Sequence, residues 1–109
     1  MKKAILMIPQ ADNQGRAFEA ATIEAIKQGF LSIAGGYTES NCAGAWIDKA
    51  SGKVFVDNNS RFEIIVDDKG LESLKLFAKT ICRELRQACI YFESFEVNCD
   101  FIEAQQKGA

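Results

Sequence analysis

Two segments of this chain repeat apolar residues at helical spacing, and each does so on one face only. Phe18, Thr22, Ala25, Ile26, Gly29 and Phe30 share a face of a helix expected over residues 15–32, with Asp12 or Asn13 as its N-cap. Leu71, Leu74, Ala78, Ile81, Cys82 and Leu85 do the same over residues 69–87, capped by Asp67 or Asp68. A helix with a single apolar stripe must lay it on another layer.

Strand-patterned segments around and between the helices supply that layer. Residues 4–8 (Ala-Ile-Leu-Met-Ile) read as a first strand. After Gly35-Gly36, Tyr37-Thr38 leads to Ala45-Trp46-Ile47, and a glycine-containing turn over residues 49–53 returns the chain as Val54-Phe55-Val56. Phe62, Ile64 and Val66 then alternate with Arg61, Glu63 and Ile65, the period of a strand. Two closing strands are expected, over 88–94 and 95–102; in the second, Phe95, Val97, Cys99 and Phe101 alternate with Glu96, Asn98, Asp100 and Ile102.

The economical arrangement is α+β: a ferredoxin-like antiparallel sheet with both helices on one face and an extra hairpin. At 109 residues a compact fold exposes roughly 6,000 Å², enough for one core and not two. Residues 1–104 are therefore expected to form one domain, with 105–109 a frayed tail. The second sheet face would carry some of Trp46, Phe55, Ile65, Tyr91 and Phe92, and such a face calls for a cover. A homodimer packed sheet to sheet, or a larger homo-oligomer, is the expected assembly.

Composition excludes several functions. There is no histidine, so His-dependent triads, His-ligated metals and imidazole switches are ruled out. A net charge of −2 argues against non-specific nucleic-acid binding, which needs a basic surface. Five apolar residues before Pro9 are too few for a signal sequence or a membrane span, so a cytoplasmic protein is expected. Cys42, Cys82, Cys89 and Cys99 match neither zinc nor redox spacings and read as free thiols; Cys82 and Cys99 fall on apolar faces expected in the core. No cofactor and no metal are expected.

Sites of chemistry are sparse. The loop from Pro9 to Arg16 joins a strand to a helix but has one glycine where a dinucleotide fingerprint needs three. Asp67-Asp68 suits a helix start better than acid–base work. Cys42 and Cys89 are the accessible thiols, yet no histidine can activate them, so a cysteine-dependent enzyme is the weakest reading. The richest stretch is Gly35–Trp46, where glycines permit close backbone approach and Tyr37 and Trp46 offer flat faces for stacking. With Arg16, Arg61, Arg83 and Arg86 to meet an anion, these two aromatics form the candidate ligand site.

The runs Gly35-Gly36-Tyr37-Thr38, Gly44-Ala45-Trp46, Gly52-Lys53-Val54 and Arg86-Gln87-Ala88-Cys89-Ile90-Tyr91 together resemble a small α+β domain family of unknown function, associated with bacterial, plasmid and phage genomes. Ala88 stands where such sequences carry an acidic residue. The resemblance spans about residues 35–95, implies a ferredoxin-like fold without known enzymatic activity, and transfers no catalytic residue. The reading from sequence is a small non-enzymatic binding module that holds a ligand or a protein partner. The alternative is a mobile-element protein that sequesters a small anionic, nucleotide-like signal to blunt a host pathway.

Overall fold

The computed structural model describes residues 1–105. Six elements follow in the order β1 (Lys2–Pro9), α1 (Ala20–Ala34), β2 (Thr38–Ile47), β3 (Val54–Val66), α2 (Asp68–Glu84) and β4 (Tyr91–Glu96). The strands form one antiparallel sheet in the order β2-β3-β1-β4, with β1 paired to both β3 and β4. This is the ferredoxin-like α+β arrangement that the stripes and alternation predict. The expected tail falls mostly on residues 106–109, outside the described residues.

The core lies between the helices and one sheet face. Ala4, Leu6 and Ile8 from β1 and Phe62, Ile64 and Val66 from β3 meet Ile26 and Phe30 of α1 and Leu71, Leu74, Ala78 and Ile81 of α2. Phe30 sits at its centre, with ring centroids 4.9 Å from Phe62 and 5.6 Å from Phe77. The helices cross where Gly29 leaves room for Phe77, because a Cβ on Gly29 would run into that ring.

Element ends depart from expectation for local reasons. Helix α1 starts at Ala20, five residues later than the expected start at 15, with Glu19 at the N-cap and no side-chain cap. Asp12 is drawn away into a turn, where its carboxylate accepts from the backbone N–H groups of Gln14 and Arg16, both at 2.9 Å. Asp67 caps α2 as expected, accepting from the Gly70 N–H at 2.7 Å. Helix α2 ends in a Schellman motif: Gln87 N–H bonds to the Cys82 carbonyl and Arg86 N–H to that of Arg83. Arg86 occupies its left-handed position at φ 53°, where glycine is usual.

The segments Val54–Val56 and Phe62–Val66 belong to one long strand, so the extra hairpin is the outward continuation of β2 and β3. Beyond Cys42↔Asn59 five more residue pairs, Ala43↔Asn58 to Ile47↔Val54, continue past the end of β1 as a two-stranded arm. Its turn is closed by Asp48, whose carboxylate accepts from Ala50 N–H and Ser51 Oγ, with Gly52 at φ 72°. Among the described residues only one closing strand forms: β4 ends at Glu96, and 97–102 has no ladder. Cys99, expected in the core, is consequently exposed, since no second layer lies over it.

Candidate functional site

Strand parity decides which side chains look away from the helices. Pairing of Trp46 with Phe55, Cys42 with Asn59, and Met7 with both Arg61 and Tyr91 places all of these on the open sheet face. Where the arm leaves the sheet, this face forms a groove of about 820 Å³, bounded by the loop after β1 and by the residues leading into β4. That volume falls in the range of small-molecule sites.

One wall is aromatic. Trp46 stacks on Phe55 with centroids 4.7 Å apart and planes 18° from parallel, and its indole Nε1 donates to the Asp57 carboxylate at 3.0 Å. Lys53 Nζ lies 5.1 Å from the Phe55 centroid. Trp46 nonetheless keeps 52% of its surface exposed, so its ring is fixed in place and still accessible. Across the floor, Cys42 Sγ and Met7 Sδ are 3.5 Å apart. Tyr91 adds a second ring, its hydroxyl donating to Glu93 at 3.0 Å, and this bond to a carboxylate raises the hydroxyl pKa above its usual value. Asp12, Asn13, Asn59 and Gln87 supply polar edges, and Gln87 Nε2 donates to Asn13 Oδ1 at 3.4 Å, tying the two rim segments together. Asp12 and Asp57 line the groove, and among the described residues no lysine or arginine does.

The six residues singled out from sequence do not converge. Tyr37 immediately precedes β2 and Trp46 lies near its far end, nine residues or about 30 Å along the chain. Tyr37 is half-buried on the helix side, edge-on to Phe30 at 6.1 Å and to Phe62 at 5.6 Å. Arg61 is on the open face but engaged with Glu63 at 3.1 Å. Arg83 bonds to Thr80 on the outside of α2, Arg16 is exposed in the loop before α1, and Arg86 borders a separate depression beside Asn13 and Gln14. Only Trp46 of the six lines the groove. Its partners Phe55, Asp57, Asn59, Met7 and Tyr91 were not legible as a site, because their grouping depends on hairpin register. The one available signal was the Gly52 turn, which sets that register.

Glu63 anchors the other half of the open face, accepting from Lys3 at 3.2 Å and from Arg61 at 3.1 Å. These bonds, that of Lys3 foremost, hold its carboxyl below the usual carboxylate range. Among the described residues no three His, Cys, Asp or Glu side chains are grouped to hold a metal ion, and no helix is long and apolar enough to cross a membrane.

No protein-family model matches the sequence, and no curated protein matches it. Solved structures share its fold. A phage SAM lyase in complex with S-methyl-5'-thioadenosine superposes with a TM-score of 0.64 at 13% identity, covering 87% of this chain and 80% of that one. CutA1 from Pyrococcus horikoshii gives 0.63 at 12% identity over 93% and 87% of the two chains. GlnK from B. subtilis, solved as an ATP complex, gives 0.63 at 19% identity over 88% and 81%. At these identities the likeness shows the ferredoxin-like fold.

Proposed function

We propose that this chain is a small homo-oligomeric binding module that takes a flat, uncharged or cationic ligand of the nucleoside class in the open-face groove. The observation that carries the reading is the Trp46–Phe55 wall: a ring held by stacking and by a hydrogen bond to Asp57, with half its surface free to stack again. The neighbouring amides and carboxylates can hydrogen-bond the edge of a base or a ribose. That the same fold is solved with S-methyl-5'-thioadenosine and with ATP supports an adenine-type ligand.

Charge separates the two. Among the described residues Asp12 and Asp57 line the groove and no lysine or arginine does, which disfavours a polyphosphate and tolerates a neutral nucleoside or a positively charged sulfonium. This differs from an arginine-held anionic signal, for which Arg16, Arg61, Arg83 and Arg86 would have to be brought to one place. The reading is of binding without turnover; the lyase among the similar folds makes recovery of intact ligand part of the test.

Trp46 is the sole tryptophan, so its emission reports on the groove. Titration with adenosine and S-methyl-5'-thioadenosine should change that emission saturably, with a much weaker response to ATP, and mass spectrometry should recover the ligand unaltered. Indifference of Trp46 to all three would overturn the proposal. A stronger response to ATP would return the anionic reading to first place.

A further inference from the structure

The helix layer carries a second concavity, on the side of the sheet away from the open-face groove. It is a cleft of about 420 Å³ between the first half of α1 and the second half of α2. Its floor is Ile26, Phe77 and Ile81, and both isoleucines are buried. The cleft stays open because α1 presents Ala21 and Ala25 to it, side chains too short to reach across. One end is closed where Phe77 fills the space left by Gly29. From Phe77 to Glu84 is seven residues of helix, or about 10 Å, a seat for one small molecule and too short for a partner helix.

The other end carries charge of both signs. Glu84 lines the cleft, and Arg83 leans on its rim, Nη2 donating to the Thr80 hydroxyl at 3.3 Å. Consecutive helical residues point about 100° apart, and Thr80, one turn earlier, lies between the two. A guanidinium, a hydroxyl and a carboxylate therefore stand side by side at the head of an apolar cleft. Among the described residues neither Arg83 nor Glu84 enters an ion pair. Glu84 also ends α2, where the helix dipole disfavours a carboxylate and welcomes a cation beside it.

We infer that this cleft binds a free apolar α-amino acid, of about the size of leucine or phenylalanine. The ligand carboxylate accepts from Arg83 and from the Thr80 hydroxyl. Its ammonium donates to Glu84, and its side chain lies on Ile26, Phe77 and Ile81. Charge selects the zwitterion. An apolar acid would face Glu84, and an apolar amine would face Arg83, each with one like charge beside it. The seat is separated from Trp46 by the sheet, so the inference goes beyond the nucleoside reading and does not depend on it.

The test is a ¹H–¹⁵N NMR titration of the full chain with L-leucine and L-phenylalanine. Either should give saturable shifts at the amides of Ala21, Ala25, Thr80 and Glu84. L-leucinamide, which lacks the carboxylate, and N-acetyl-L-leucine, which lacks the ammonium, should each bind about tenfold more weakly. Glycine, with both charges and no side chain, should not bind measurably. Arg83→Gln and Glu84→Gln should each weaken leucine about tenfold, with far-UV circular dichroism and thermal melt kept, since both side chains are exposed. Ala25→Leu, which fills the cleft from an exposed helical position, should abolish binding. Three results would overturn the inference: no saturable shift with either amino acid, a single-charge analogue that binds as tightly as leucine, or shifts confined to residues outside the cleft. Trp46 emission keeps the two readings apart. A chain that binds leucine and ignores nucleosides removes the proposed function alone, and the converse removes this site alone.

Discussion

Arg86 sits in the left-handed region at φ 53°, imposed by the two backbone bonds that end α2. A side chain there costs about 1–2 kcal/mol relative to an allowed conformation, and glycine carries no such cost. Arg86→Gly is therefore expected to stabilise the fold by about 1 kcal/mol, read as a higher urea midpoint with an unchanged slope. Glu63 behaves in the opposite sense. Its carboxyl titrates below the unfolded value because Lys3 and Arg61 bond to the charged form. Its contribution is thus present above about pH 4.3 and is lost as the pH falls through the lower folded pKa. Glu63→Gln should be the less stable protein near neutrality, and the gap to the parent should close as the pH falls through the lowered folded pKa, read in thermal melts across the acid range.

The two helices differ in how they begin. Asp67 satisfies an orphan N–H of α2, whereas Glu19 at the start of α1 offers no side-chain bond although its backbone, at φ −61° and ψ 138°, is already extended like a cap. Asp67→Ala should cost about 1 kcal/mol, and Glu19→Ser should gain up to about that much; chemical denaturation of the pair gives opposite shifts if the caps are as described. These ends also show what was readable. The stripe of α2 and the alternation Phe62, Ile64, Val66 were plain, because neighbours three, four or two residues apart determine them. The start of α1 was not, since Asp12 serves equally well as a cap or as a turn former, and the adjoining bridge between Ala11 and Ala17 belongs to the turn.

The molecule extends 66 × 28 × 25 Å, with a radius of gyration of 16.8 Å where a compact chain of this size has about 13 Å. Its accessible surface of 7911 Å² likewise exceeds the roughly 6,000 Å² of a compact monomer. The arm accounts for much of this, for it is apolar on both faces: Trp46 on one, and Ile47, Val54 and Val56, each more than half exposed, on the other side or at its end. A two-stranded ribbon is marginal alone. No buried core residue lies between Ala43 and Asn58. Replacing that span with an Asn-Gly turn should leave the helices and a cooperative melt intact while abolishing the nucleoside response. Loss of the melt would show that the arm serves folding instead.

The residues alone were sufficient for the fold class, for one helix-facing sheet surface, and for the absence of any imidazole chemistry. Those properties follow from local periodicity and from which side chains are present at all. The groove was decided by tertiary structure. Trp46 meets Phe55 and Asp57, and Cys42 meets Met7, only because one particular hairpin register and strand order bring them to the same face. A shift of β2 by a single residue in that register would turn Cys42 and Trp46 to the opposite side, away from Met7, Phe55 and Asp57. Tyr37, prominent in sequence beside Trp46, was carried by the same parity to the helix layer, where Phe30 and Phe62 take its ring.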